Sequence, residues 1–400
     1  MQSETALTEE KRPAVVPEGT AAPRMWFLDH LKVLLTALVV LQHAAVTYGA
    51  PGGWYYHEFK SGQLALPELL VLVAFVVVNQ AYFMGLFYMI SGYFTPGSVD
   101  RKGGAVFLKD RLMRFGVPML AYAFLLVPIL QYALFAAAGT SPRSAAEWIA
   151  FLAREFTRFE IGPLWFTELL FFFSAVYVLG RIAAGRRGGS PRSAPGFPGY
   201  RAAVAFAVCI GAVNFLIRLG FPIGAPFAPL NIQLAFLFQY VCLFAVGAAA
   251  YRGDWLSRIS VGAGKAWARA TAGLIALLPV LFLISAGPDG DFSSAVGGWH
   301  WQAFVYAVWE QLTGMGMIIT LLVFFRERMN YPSPLWKTLS EHSYAVYIVH
   351  PLILILVSLS VRQISLSPLM KFLLVGPAAV ALSYLAAWAI RKLPGAKAVL

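Results

Sequence analysis

The sequence contains few charged residues and almost no cysteine. Only 12% of its 400 residues are Asp, Glu, Lys or Arg, whereas 59% are hydrophobic. A soluble domain normally carries about 25% charged residues, so this composition excludes a soluble globular protein and indicates a polytopic membrane protein. The two cysteines, Cys209 and Cys242, lie in apolar segments. Neither a disulfide framework nor a cysteine metal cluster is therefore expected.

Familiar motifs of cofactor and metal sites are also missing. The sequence has no Gly-rich phosphate loop, no zinc-ligand spacing and no internal repeat. We therefore predict no metal site and no permanently bound cofactor. The net charge of +12 would suggest a nucleic-acid partner in a soluble chain. In a membrane protein, basic loops on one face explain it better, so the expected surroundings are a lipid bilayer and no nucleic acid.

Long apolar segments predict an all-α, polytopic bundle of about ten transmembrane helices. About 20 helical residues cross a hydrocarbon core of about 30 Å. The segments that meet this condition are residues 28–48, 66–94, 116–139, 163–182, 200–219, 230–251, 269–286, 301–325, 340–361 and 369–391. The first is too long for a signal-peptide core, so we expect it to remain as the first span.

The distribution of basic residues predicts the orientation. With the N-terminus inside, 23 of the 31 Lys and Arg residues fall on its side of the membrane and 7 on the other. Basic residues in short loops stay in the cytoplasm, so both termini are expected there. The predicted organisation is a disordered cytosolic tail over 1–23, one membrane domain over 24–391 and a cytosolic tail over 392–400. Residues 185–199 are predicted to form a flexible cytosolic linker, and 144–159 an interfacial amphipathic helix outside.

The first span carries ionisable residues in a single stripe. At about 100° per residue, Asp29, Lys32, Thr36, His43 and Thr47 fall inside a sector of roughly 60°. Charged groups in a spanning helix are costly unless they face protein or water, so they are candidates for function. In the alternative interpretation, Asp29 and Lys32 lie at the headgroups and His43 is a satisfied interhelical hydrogen bonder.

A second group of candidates lies toward the cytosolic ends of the next two spans. Small residues at Gly85, Ser91 and Gly92 allow either another helix or a thin substrate arm to approach closely. Arg111 and Arg114 are three residues apart, which places them on one helical face where they can grip phosphates. Ordinary positive-inside anchoring is the alternative for both arginines.

Three further polar residues are predicted within spans. Glu168 opens the fourth span about one and a half turns below the outer surface, Glu310 lies in the eighth, and His350 lies near the middle of the ninth. A structural role is the alternative for each. By residue counting, His43 and Glu168 are both roughly 8 Å below the outer surface, whereas His350 and Glu310 lie deeper. We therefore predict that Glu168 orients His43. In the alternative interpretation, Glu168 forms hydrogen bonds with neighbouring hydroxyls or with a substrate.

These residues occur in an order that resembles a known family, the acyltransferase-3 family of bacterial membrane acyltransferases, and most closely its glucan biosynthesis protein C branch. The resemblance covers about residues 24–391. The motifs that carry it are Lys32 with His43, Ser-Gly-Tyr-Phe at 91–94, Arg111-x-x-Arg114 before Pro118, Leu164-Trp165-Phe166, and Ser343-Tyr344 followed by His350-Pro351.

The resemblance implies an O-acyltransferase in the bacterial plasma membrane. It would move an acyl group, of the acetyl or succinyl class, from cytosolic acyl-CoA to a hydroxyl of a glycan, glycolipid or similar acceptor of the cell envelope. His43 would be the essential histidine, with Glu168 beside it as the second predicted catalytic residue. Lys32, Ser91, Arg111 and Arg114 are the predicted donor-binding residues.

The residues also allow functions of other classes. A proton-coupled transporter of a small molecule would use His43, Glu168 and Glu310 as a proton relay through ten spans. A structural or lipid-binding membrane protein is the third possibility. Within the acyltransferase interpretation, the sequence leaves open whether His43 acts as a general base or becomes acylated itself.

Overall fold

The computed structural model describes residues 24–185, 197–225, 227, 232–285 and 292–400. The predicted tail over 1–23 and most of the predicted linker over 185–199 lie outside these residues. The described part of the chain is helical and contains no strand beyond one isolated bridge between Phe227 and Ile232. This confirms the predicted all-α class.

The helices follow the predicted order of spans. Their bounds are α1 Trp26–Thr47, α2 Leu66–Lys102, α3 Gly104–Ala121, α4 Val127–Ala138, α5 Ala145–Arg158, α6 Trp165–Gly185, α7 Tyr200–Arg218, α8 Leu234–Gly253, α9 Trp255–Arg258, α10 Val261–Ala276, α11 Leu278–Ser285, α12 Ser293–Val296, α13 Trp301–Arg328, α14 Pro334–Ser360, α15 Pro368–Ile390 and α16 Ala396–Val399.

Ten helical segments within the described ranges are long and apolar enough to cross a membrane, as predicted. Three of them are composite. A five-residue π-helical turn over 122–126 joins α3 to α4. Pro128 lacks the N–H that would bond the carbonyl of residue 124, so the normal ladder is interrupted there. α10 and α11 form the second composite segment. In the third, residues 145–185, α6 provides the apolar span and α5 precedes it.

α1 lies at the centre of the bundle. It contacts α2, α13, α14 and α15, and 67% of its most apolar window is buried, against 17% for the α10–α11 segment. The polar stripe of α1 therefore faces other helices, which removes the cost of exposing ionisable groups to lipid.

The close crossing of α2 and α8 explains the small residues of the 91–94 motif. A Cβ on Gly92 would collide with the backbone of Phe244, and one on Gly247 would collide with the backbone of Met89. Each glycine lets the other helix approach to backbone contact. Of the two predicted uses of these small residues, Gly92 thus serves helix packing.

α14 begins earlier than predicted. Ser333 caps it by accepting a hydrogen bond from the Trp336 N–H, and Pro334 occupies the first helical position. Both are favoured at a helix start, because Ser supplies an acceptor and Pro needs no donor there. The helix therefore starts six residues before the predicted residue 340. The extension becomes important for the depth of His350.

The segment outside the fourth span is a helix, as predicted. Ser144 caps α5 by accepting from the Glu147 N–H. Its exposed large apolar residues include Trp148, Ile149 and Phe156, the pattern of an interfacial helix. At the other end of the chain, α16 contacts α3.

Candidate active site

Two histidines from neighbouring helices meet near the C-terminal end of α1. The imidazole Nδ1 of His43 lies 3.0 Å from Nε2 of His350, and the two rings are nearly parallel, 5.1 Å apart. We call these residues the histidine pair. His350 is completely buried, whereas His43 keeps part of its surface accessible. His43 is therefore the more accessible of the two residues.

The hydrogen bonds determine which ring nitrogens carry protons in the neutral pair. Nδ1 of His350 lies 2.7 Å from the Tyr347 carbonyl. A carbonyl only accepts, so this Nδ1 carries the proton and Nε2 of His350 is an acceptor. Nδ1 of His43 must then donate to it. In the neutral ring this leaves Nε2 of His43 without a proton, which is the state that a general base requires.

The predicted difference in depth between the two histidines is wrong. Residue counting placed His350 nearer the midplane than His43, yet the two side chains touch. α14 starts at Pro334 and ends at Ser360, so His350 is 16 residues from its beginning, while His43 is 17 residues from the beginning of α1. The two helices run in the same direction, and equal distances along them give equal depths.

An aromatic residue that the sequence motifs did not include covers His43. Trp54 belongs to the segment between α1 and α2, residues 48–65, which we call the outer loop. Its indole stacks on the His43 imidazole with centroids 3.9 Å apart and planes 12° apart. The same indole lies 6.0 Å from the His350 ring. The reactive imidazole is thus enclosed by the outer loop on one face.

Specific contacts hold the outer loop in place. Lys371, buried at the start of α15, forms an ion pair with Glu58 and also donates to the carbonyls of Val361 and Arg362. Ser61 donates to the Gly49 carbonyl at 2.8 Å. Two backbone donors, Glu58 N–H and Phe59 N–H, reach the Thr47 carbonyl at the end of α1. These bonds make Trp54 part of an ordered wall.

On its other side the outer loop contacts the segment that leads into α6. The Tyr122 hydroxyl donates to the Tyr55 hydroxyl at 3.1 Å, and both hydroxyls pack against Gly162, where a Cβ would collide with them. Gly162 has φ +46°, a conformation that glycine adopts without strain. Burial raises the pKa of Tyr55 above its ordinary value, so the phenol stays neutral.

The structure does not bring Glu168 to His43. Among the described residues, no hydrogen bond links these two side chains: Nδ1 of His43 bonds His350, and Oε2 of Glu168 is buried without a partner. α6 packs on α2 and α3, whereas α1 packs on α2 and on α13–α15. The pairing assumed that equal depth implies proximity, but α1 and α6 are not among the helix pairs that pack closely on each other. Glu168 instead lies near Tyr88.

At the opposite end of α1, the predicted donor-binding residues do lie together. Arg111 donates to the Ser91 hydroxyl at 3.3 Å. Its guanidinium lies between Phe107 and Phe115, 5.0 Å and 5.3 Å from their ring centroids. Two aromatic faces hold the guanidinium of Arg111 in position while leaving further N–H donors for a ligand.

Arg114 and Lys32 complete this region, which we call the basic cluster: Lys32, Ser91, Arg111 and Arg114. Arg114 lies over the Tyr344 ring at 5.5 Å, and its own carbonyl accepts from the Tyr344 hydroxyl at 2.9 Å. Lys32 is 5.9 Å from the ring of Phe94, one turn beyond Ser91 on α2. The cluster thus joins α1, α2 and α3 at the face where α1 begins.

Asp29 is the anionic partner of this cluster. Its two oxygens lie 2.7 Å from Lys32 Nζ and 2.7 Å from Arg24 Nε, and Ser340 donates to it at 3.3 Å. The single carboxylate balances only part of the positive charge of Arg24, Lys32, Arg111 and Arg114. A net positive potential remains, which suits an anionic ligand.

A family model of an acyltransferase domain matches residues 25–388. The chain belongs to the acyltransferase-3 family. The match begins one residue before α1 and ends within α15, so it includes both the histidine pair and the basic cluster. No curated protein and no solved structure matches the chain.

Glu310 has a structural partner in this acyltransferase. Its Oε2 accepts from Arg218 at 2.6 Å, and both side chains are fully buried. Gln311 also donates to Glu310, and Arg218 reaches the Ala235 carbonyl. We call Arg218 and Glu310 the buried ion pair. Arg218 is one of the seven basic residues that the charge count places on the outer face, but the structure buries it within the bundle.

No metal site is evident in the described part of the acyltransferase. Among residues 24–185, 197–225, 227, 232–285 and 292–400, no three His, Cys, Asp or Glu side chains converge. The chemistry that these residues can support is acid–base catalysis by His43 and electrostatic binding by the basic cluster.

Sequence reasoning identified His43, His350 and the arginines but missed Trp54 and the role of Arg218. The Trp54 position lies in a loop without periodicity, so no pattern indicated that its ring would turn back onto α1. Arg218 gave a usable signal, since an arginine at the apolar end of a span requires a partner. In the structure that partner is Glu310, on the adjacent helix α13.

Proposed function

We propose that the protein is an O-acyltransferase that moves an acyl group from cytosolic acyl-CoA to a hydroxyl of a glycan or glycolipid on the other side of a bacterial plasma membrane. The acyl group would be of the acetyl or succinyl class, as in the glucan biosynthesis protein C branch that the sequence resembles. The proposal rests on one observation above all: in the partly buried residue His43, the hydrogen bonds of the histidine pair leave Nε2 without a proton and able to accept one.

The distance between the two regions supports acyl-CoA as the donor. Lys32 and His43 are eleven residues apart on one helix, hence about 16 Å along its axis. An extended pantetheine arm spans about that length. With the CoA phosphates at Arg111, Arg114 and Lys32, the thioester would lie near His43. Fork-shaped guanidinium groups suit phosphate oxygens better than ammonium groups do.

The reaction follows from these positions. Nε2 of His43 takes the proton of the acceptor hydroxyl as its oxygen attacks the thioester carbonyl carbon. The C–S bond then breaks, an ester forms, and the CoA thiolate leaves and takes the proton from the imidazolium. His350 accepts the Nδ1–H bond throughout and stabilises the positive charge of the ring. It is therefore a positioning residue.

Glu168 is proposed to contact the acceptor. It lies at the outer end of α6, next to Trp165 and Tyr88, and one of its oxygens is buried without a partner among the described residues. A carboxylate beside aromatic rings suits a sugar, whose hydroxyls donate to carboxylates and whose apolar face packs on rings. The buried ion pair, by contrast, weakens the transporter alternative, because it removes Glu310 from the proposed proton relay.

The experiment is incubation of the purified protein with acyl-CoA carrying a labelled acyl group, with and without candidate glycan acceptors. We expect acceptor-dependent release of CoA and label in the acceptor. Label that stays on the protein after denaturation would indicate acylation of His43 instead of general-base transfer. Failure to bind or cleave any acetyl or succinyl donor would contradict the proposal.

A further inference from the structure

Trp54 has a buried hydrogen-bond donor that nothing in the described chain uses. Its Nε1 is shielded from solvent and has no acceptor among the described residues. A buried indole N–H normally finds a partner, because leaving it unpaired costs free energy. The unused donor lies in the ring that stacks on His43, the residue proposed to take the acceptor proton.

Specific contacts of the outer loop hold the Trp54 indole against His43. Lys371 holds the loop at Glu58, and Tyr122 holds it at Tyr55, the residue directly after Trp54. With these two anchors just after Trp54, the loop holds the indole plane within 12° of the imidazole plane. Packing alone would be served equally well by phenylalanine, which carries no donor.

We propose that Trp54 is a catalytic residue that donates its indole N–H to the carbonyl oxygen of the bound acyl group. The proposal rests on the proposed function, since it requires a thioester at His43. The ligand it assigns to this site is therefore an acyl carbonyl, whose oxygen becomes negatively charged during attack.

The stacking geometry fits the reacting atoms. The acceptor oxygen must lie about 3 Å from Nε2 of His43, and the carbonyl carbon about 3–3.5 Å from that oxygen. A carbonyl oxygen bonded to that carbon falls beside the imidazole and therefore beside the indole ring, whose centroid lies 3.9 Å from that of the imidazole. As the acceptor oxygen bonds to the carbon, the π electrons move to the carbonyl oxygen, and the N–H stabilises the resulting oxyanion. The electrons return when the C–S bond breaks.

Removal of the N–H while keeping a ring tests this role. Trp54→Phe preserves an aromatic cover on His43 but has no donor. Loss of one such donor costs about 10² to 10³ in turnover in enzymes that stabilise an oxyanion. We expect transfer by Trp54→Phe to fall about 10²-fold, with acyl-CoA binding unchanged. Trp299→Phe is the matched control, because Trp299 lies in another outer segment and is 80% exposed; its transfer rate should stay within about twofold of the parent.

A second variant separates loss of the donor from loss of ring shape. Benzothienylalanine at position 54 keeps the bicyclic ring and replaces the N–H with sulfur. We expect the same fall as in Trp54→Phe. This variant decides the matter if Trp54→Phe fails to fold.

The outcomes distinguish this proposal from the proposed function. Transfer within about twofold of the parent in the benzothienylalanine variant, together with complete loss in His43→Ala, would overturn the role of Trp54 alone. Full transfer in His43→Ala would overturn the proposed function and this inference with it. A fall in the Trp54 variants caused by weaker acyl-CoA binding, with turnover of bound donor unchanged, would also overturn the proposal.

Discussion

Two pairs of polar side chains lie inside the same bundle, and a different interaction offsets the free-energy cost of burying each pair. Arg218 and Glu310 cancel each other's charge at 2.6 Å, and both are fully enclosed. His43 and His350 instead share one hydrogen bond, and only His350 is fully enclosed. An ionisable residue in a span is therefore a candidate for catalysis when its partner leaves one of its nitrogen or oxygen atoms free to exchange a proton. A group matched by an opposite charge is a candidate for stability.

The largest effect expected is on transfer, from His43→Ala. General-base catalysis contributes roughly 10² to 10⁴ in rate, and no other described group is placed to replace Nε2 at this point. Transfer of labelled acyl groups by the purified variant should fall by at least that factor. Acyl-CoA binding should be retained, because the basic cluster lies at the other end of α1. If the variant lost acyl-CoA binding as well as transfer, His43 would have a structural role, like Arg218 and Glu310.

The next largest effect is on folding, from Arg218→Met. It leaves the Glu310 carboxylate buried without its counter-charge, which typically costs about 3–5 kcal/mol of stability. We expect a clear loss of thermal stability in detergent, with unchanged transfer per folded molecule. The double variant Arg218→Met with Glu310→Gln should recover much of the stability, since no unpaired charge remains. A loss of turnover in the stable double variant would show that the buried ion pair also contributes to transfer, contrary to the structural role assigned to it here.

His350→Ala should lower transfer by about 10². It removes the acceptor for the Nδ1–H of His43, so the ring can turn away, and small misplacements of catalytic groups have effects of that size. His350→Asn supplies an amide oxygen as an alternative acceptor and should restore part of the rate. The loss should appear in kcat and leave the acyl-CoA KM unchanged. A larger change in KM than in kcat would argue that His350 only shapes the pocket.

Arg111→Gln should weaken acyl-CoA binding by about tenfold or more, because one charge-assisted contact is worth roughly 1.5–3 kcal/mol. The double variant with Arg114→Gln should bind still more weakly, and Lys at either position should recover only part of the affinity. Binding is measured by equilibrium dialysis with labelled donor. The matched control is Lys109→Gln, on the same helix but outside the basic cluster. Equal losses of affinity in Lys109→Gln and Arg111→Gln would indicate that the arginines only set the orientation of the helix in the membrane and do not bind the donor.

The smallest effect expected is that of Glu168→Gln. The amide keeps one acceptor oxygen, so an acceptor contact should weaken by roughly two- to tenfold. The acceptor concentration needed for half-maximal transfer should rise, while kcat stays constant. A fall of about 10² in kcat with constant acceptor KM would instead support the originally predicted orienting role toward His43, acting in a donor-bound state.

The candidate site was predictable in its residues but not in its contacts. The ten spans, the stripe on α1 and the arginine spacing on α3 follow from periodicity and charge, because each is a local property of the chain. The partnership of His43 with His350 instead depends on where α14 starts and on its packing beside α1. The predicted hydrogen bond between Glu168 and His43 is not present among the described residues, since depth is a property of one helix and proximity a property of two.

Local sequence therefore determined the number of spans, the all-α class and the positions of the candidate site residues, because hydrophobicity and helical periodicity act over a single segment. Tertiary structure decided which of these residues meet. It joined two histidines 307 positions apart, matched Arg218 to Glu310, and folded the outer loop so that Trp54 covers His43. The physical reason is that helix packing in a bilayer is determined by close contacts at small residues and by hydrogen bonds between helices. The contact of Gly92 with α8 is an example of the first.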